Sequence, residues 1–171
     1  MTHARKKLLA SALAAILAPA SAMAVVAAPS AAQAKEVEQA KCFVHSVLAS
    51  KEGEGGVPKE LAFLQAQLSQ DEFAIYKTFL LIEQKTFDIR RGKVTETKFS
   101  SGNRMGLSLL GNDDKRLKLH ASLSSRDGSK DLLNTDYSIE DGGLLMIQAG
   151  SFVHKGTEGK LFFAIQCARS G

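Results

Sequence analysis

From Phe87 onward, apolar and polar residues alternate with a period of two, the pattern of strands with one face buried. Phe87 and Ile89 open the series. Thr95, Thr97 and Phe99 then share one face against Glu96 and Lys98, and Met105, Leu107 and Leu109 follow. The clearest strand covers residues 116–123, where Leu117, Leu119, Ala121 and Leu123 oppose Arg116, Lys118, His120 and Ser122. Leu133, Thr135, Tyr137 and Ile139 repeat the alternation. Turn chemistry separates these runs at Arg91-Gly92-Lys93, Ser101-Gly102-Asn103, residues 111–114, residues 126–129 and Asp141-Gly142-Gly143, the last a tight hairpin signal.

Three further runs do not alternate. Residues 43–49, 144–149 and 161–167 are almost continuously apolar, as strands covered on both faces are. Between the first of them and Phe87 the period changes. After a polar, Gly-rich loop at residues 51–56, Pro58 is placed as a first helical residue, and Leu61, Leu64 and Leu68 recur at helical spacing beside Phe63. Ser69-Gln70-Asp71-Glu72 has the form of a capping box opening a second short helix, with Phe73, Tyr76 and Leu80 on one side. Residues 78–83 fit either helix or strand.

These signals predict a mainly β fold: a single antiparallel sandwich or partly open barrel of seven or eight strands, with a short N-terminal helical insert near residues 58–80 and α+β as the alternative. The β-rich domain is expected over residues 41–171, with no second domain and no repeat.

Composition changes the picture only through its placement. The 171 residues carry a formal charge of +4, which invites a nucleic-acid reading. The first 24 residues, however, read as a signal peptide: Arg5, Lys6 and Lys7, an apolar run over residues 8–17, Pro19, and the small-x-small pattern Ala22-Met23-Ala24. A second cleavage match ends at Ala34, and residues 25–40 are expected to form a flexible tail. Losing the three leader cations takes the formal charge from +4 to +1. Nucleic-acid binding thereby loses its compositional support. The leader's apolar run is too short to span a bilayer, and no transmembrane segment is expected after cleavage. The expected location is periplasmic or extracellular.

In such a compartment the two cysteines, Cys42 and Cys167, are expected to form a disulfide, because each sits at the outer end of a terminal strand run. Candidate chemistry is sparse. His45 and His120 fall on polar-facing strand positions and His154 in a loop, without metal-ligand spacing. Aspartates 113, 114, 127, 131, 136 and 141 cluster at turns, where side-chain-to-backbone hydrogen bonds account for them. No nucleophile elbow and no phosphate loop is present. Neither a catalytic residue nor a cofactor or metal ligand is therefore assigned. The strongest polar feature is the outward basic row Lys115, Arg116, Lys118 and His120, a candidate surface for an anionic partner such as a lipid headgroup or polysaccharide, with a plain solvated face or guarded edge as the alternative.

The segments Gly102-Asn-Arg-Met-Gly-Leu-Ser-Leu-Leu-Gly111, Arg116-Leu-Lys-Leu-His120 and Asp141-Gly-Gly-Leu-Leu-Met-Ile-Gln-Ala-Gly150 resemble a pattern in exported bacterial β-rich proteins with no assigned activity. The resemblance covers residues 42–167 and implies an exported β domain, with no functional residues to carry over. The leading expectation is a non-enzymatic binding or structural module of the cell envelope, its partner an envelope protein, a glycan or a lipid. The alternative is a small hydrolase or metal-dependent enzyme assembled from His45, His120 or His154 with turn aspartates.

Overall fold

Period-two alternation needs a partner face to bury the apolar side, and the chain supplies it by packing two sheets against each other. The structure, a computed structural model, describes residues 36–170. The leader, both cleavage matches and the tail up to residue 35 lie outside the described residues. Eight strands form: β1 (Gln39–Ser50), β2 (Thr78–Arg90), β3 (Thr95–Lys98), β4 (Arg104–Asn112), β5 (Arg116–Ser124), β6 (Asp131–Glu140), β7 (Leu144–His154) and β8 (Thr157–Arg169). One antiparallel sheet has the order β2-β1-β8-β7, the other β3-β4-β5-β6. The fold is the expected β-sandwich with a small helical insert.

Chain order runs around the two sheets, so each strand lies beside its successor and β8 returns to β1. The ladder lapses at two seams, β2/β3 and β6/β7. At the first, Arg91 makes a bridge to Leu109 of the other sheet.

The inward faces meet in one core that includes Val44, Phe87, Ile89, Phe99, Met105, Leu107, Leu117 and Phe163. Cys42 and Cys167 sit within it as directly opposed residues of β1 and β8, joined by a disulfide. Their Cα atoms are 4.0 Å apart, closer than the usual range for disulfides. The carbonyl of Cys167 accepts from Gly142 on the far side, so the two cysteines form a narrow pair without mutual backbone hydrogen bonds.

A second apolar cluster covers the outer face of the β2-β1-β8-β7 sheet. Val47, Ala49, Phe79, Phe162 and Ala164 of the strands pack against Leu61, Leu64, Leu68 and Phe73 of the insert. The runs at residues 43–49 and 161–167 fail to alternate for this reason: each supplies both layers.

The insert is shorter and tighter than the helical spacing predicts. A 3₁₀ segment (Lys59–Leu64) leads into a single α-turn, α1 (Gln65–Leu68), and a second 3₁₀ turn covers Asp71–Phe73. Pro58 precedes the first segment with extended backbone rather than beginning it. Ser69 closes α1 instead of capping a second helix, donating its hydroxyl to the Gln65 carbonyl at 2.7 Å. Leu80 belongs to β2.

A bulge explains the ambiguity at residues 78–83. Ile82 has no partner between the pairs Ser46–Glu83 and Val47–Leu81. One extra residue flips the side-chain parity of β2. Phe87 therefore faces the central core while Phe79, also odd-numbered, faces the insert. In the same way Ala149 is unpaired in β7, and Phe152 turns inward beside even-odd neighbours that would otherwise exclude it.

Residues 36–40, expected as tail, are anchored. Arg91 pairs with Glu36 and Glu38, its amide donates to the Glu38 carbonyl, and the Val37 amide donates to Asn112 Oδ1 at 2.8 Å.

Candidate functional site

The basic row found in the sequence lies on or beside the outer face of the β3-β4-β5-β6 sheet. Arg116, Lys118 and His120 point outward from β5, and Lys115 sits in the preceding turn. Strand β6 supplies counter-charges: His120 Nδ1 lies 2.7 Å from Asp136 Oδ1, and Arg116 is in register with Glu140.

The three described histidines are not brought together. His45 is on the outer face of one sheet, His120 on the outer face of the other, and His154 ends β7 rather than lying in a loop. His45 is also buried rather than exposed. Its ring packs 4.5 Å from that of Phe63 in the insert, and burial pushes its pKa down against smaller opposing influences of Gln84 and the Ala164 backbone. Among the described residues, no group of three or more His, Cys, Asp or Glu is arranged to hold a metal ion.

A different set of charges converges at the end of the β3-β4-β5-β6 sheet opposite the chain's anchored N-terminal segment. Lys98, Arg104 and Arg126, with Ser124, Gly102, Asp127 and Gly128, line a recess of about 390 Å³. Lys98 ends β3 and Arg104 begins β4, so the hairpin between them places the two cations directly opposite each other. Arg126 arrives from the β5–β6 loop.

Buried polar staples hold this arrangement. Asn103 is fully buried; its amide group donates to the Ser124 carbonyl at 2.8 Å and accepts from the Ser101 hydroxyl at 2.9 Å. The Ser100 amide donates to Glu83 Oε2 at 2.7 Å, fixing the β3–β4 turn to β2. Gly102 has φ +95°, and a Cβ there would stand 3.0 Å from the Arg126 carbonyl oxygen. Only glycine allows both that backbone angle and that approach.

The β5–β6 loop is organised by Asp127. Hydrogen bonds from the Ser125 hydroxyl and from the Ser129 amide and hydroxyl hold its carboxyl at a pKa of about 2. Arg126 is positioned by an aromatic ring, its guanidinium 5.5 Å from the centre of Phe152 on β7. None of Lys98, Arg104 or Arg126 has a carboxylate within 4.0 Å among the described residues.

The sequence reading did not single out these three residues because they belong to different elements. The Ser101-Gly102-Asn103 turn marks a hairpin between Lys98 and Arg104, but the register that opposes them is set by its closing hydrogen bond, from the Phe99 amide to the Asn103 carbonyl at 2.8 Å.

Two shallower recesses flank Tyr76 on the other sheet. One is lined by Phe73, Met146 and Phe162, the other by Ser50, Lys51, Ser151 and Lys160. In the second, Lys160 donates to Ser151 at 2.8 Å and Glu52 and Glu158 balance the lysines.

Comparison with known proteins adds no assignment to this geometry. No protein-family model, no curated protein and no solved structure matches the chain.

Proposed function

We propose that this protein is an exported, non-enzymatic binding module of the cell envelope, and that its ligand presents an anionic group to the recess formed by Lys98, Arg104 and Arg126. The observation that carries this reading is the direct opposition of Lys98 and Arg104 without a counter-ion. Like charges facing each other across a ladder destabilise the sheet. Such a pair, joined by a third cation on a preorganised loop, is what an anion receptor requires. Export is supported by the leader pattern and by the disulfide, which persists in oxidising compartments. No described helix is long and apolar enough to cross a membrane.

The test is a thermal-shift titration of the purified full chain with sodium phosphate against sodium chloride at matched ionic strength. A ligand that binds only the folded state raises the melting temperature in proportion to its occupancy. Phosphate is expected to raise it in the natural protein and not in Arg104→Gln. Equal responses to both salts would remove the reading.

A further inference from the structure

Resting on that anion-binding reading, we propose that the recess is built for a phosphorylated polyol: a phosphate ester with hydroxyl groups beside it. Three cationic side chains and a single carboxylate, Asp127, line one concavity. A phosphate monoester brings roughly two negative charges and several strong acceptor oxygens, enough to engage all three cations. The guanidinium forks of Arg104 and Arg126 suit paired phosphate oxygens, and Lys98 adds a point charge. Arg126 is already ordered over Phe152, which reduces the entropy lost on binding.

Two features set the site apart from one for a bare oxyanion. Its volume of about 390 Å³ falls within the ~300–1,000 Å³ of small-molecule sites. Space remains beside the phosphate. Asp127 also lines the recess, where it would repel a ligand charged along its whole length. Its Oδ1 is occupied by Ser125 and Ser129, whereas Oδ2 accepts one hydrogen bond, from the Ser129 hydroxyl at 2.8 Å. A second lone pair of Oδ2 is open to a hydroxyl donor. Ser124 Oγ accepts from the Arg104 amide at 3.2 Å and retains its own proton to donate. Three cations, a carboxylate and a hydroxyl in one lining complement a phosphate carried on a hydroxylated body.

The experiment titrates the purified full chain with glycerol phosphate, inorganic phosphate and glycerol at constant ionic strength, followed by calorimetry and phosphorus NMR. A parallel arm uses phosphatidylglycerol vesicles, which hold a glycerol phosphodiester of one negative charge at a lipid surface. Glycerol phosphate is expected to bind about tenfold more tightly than inorganic phosphate, the worth of one or two added hydrogen bonds to a charged group. Asp127→Asn is expected to erase that preference while keeping phosphate binding. Lys98→Gln is expected to weaken both ligands about tenfold without lowering the melting temperature of the free protein, because it relieves the opposition to Arg104. Binding in solution, lost in Arg104→Gln, supports a free ligand; binding to vesicles alone, lost in the same variant, supports a lipid-borne one. Equal affinity for phosphate and glycerol phosphate overturns the polyol assignment and leaves the anion reading standing. No response to any phosphate, or vesicle binding indifferent to Arg104→Gln, overturns both.

Discussion

The two sheets differ in what covers them. The β2-β1-β8-β7 sheet is apolar inward, over the central core, and apolar outward where the insert covers it, and it carries one half of the core and both halves of the disulfide. The β3-β4-β5-β6 sheet is apolar only inward. Its outer face and end are polar, and the candidate recess is built there. A strand buried on both sides has no freedom to present charge, because an unpaired buried charge is expensive. A strand with one solvated face can carry opposed cations such as Lys98 and Arg104. One sheet is covered in part on both faces, and the other keeps one face open to solvent.

Breaking the disulfide should test the first half of this contrast most severely. The bridge joins residues 125 apart in sequence, and the Cys42→Ala, Cys167→Ala double variant should lose about 4–5 kcal/mol by the loop-entropy relation. Denaturant unfolding measures it, and a negligible loss would mean that the terminal strands are held by packing alone.

Next in size is the outer cluster. Leu64→Ala should cost about 2–5 kcal/mol if the insert forms a true second core, while Lys118→Ala on the open sheet should stay within about 0.5 kcal/mol. Similar values for the two would dissolve the distinction between the sheets.

The two titrations below are smaller and opposite in origin. Burial lowers the pKa of His45 beneath its ordinary 6.5, so the unfolded chain takes up this proton first. Stability is then fully present above pH 6.5 and declines as pH falls below it. His45→Gln should flatten that slope in thermal melts recorded across the range. Unchanged melts would show that Phe63 does not shield the ring.

Asp127 titrates on the open sheet's side. Its carboxyl falls from the ordinary 3.8 to about 2, through the Ser125 hydroxyl first and then the Ser129 amide and hydroxyl. Its contribution is present above pH 3.8 and is lost as pH falls toward 2. Asp127→Asn should remove this acid-side dependence, seen as convergence of the variant and natural melting curves at low pH. Parallel curves would mean that the loop is held by its backbone bonds alone.

Alternation made β4, β5 and β6 readable because their two faces meet different solvents. Leu117, Leu119, Ala121 and Leu123 all face inward as the pattern requires. The insert was legible only in part. Its leucines at residues 61, 64 and 68 do form one buried face, but 3₁₀ turns produce nearly the same spacing as an α-helix. Ser69 carried the letters of a capping box, yet it lies at the end of α1. The bulges at Ile82 and Ala149 were invisible in principle, since the extra residue is defined only by the partner strand.

By itself the sequence determined the strand-rich class, the meeting of Cys42 with Cys167, and the polar face of β5, because all three depend on periodicity and on the placement of the strand runs along the chain. Only the tertiary structure decided that His45 is buried, that Phe79 and Phe87 face opposite layers, and that Lys98, Arg104 and Arg126 share one recess. Those outcomes depend on register between strands and on which loop folds over which edge. Such contacts are set by packing between distant segments, and no local pattern encodes them.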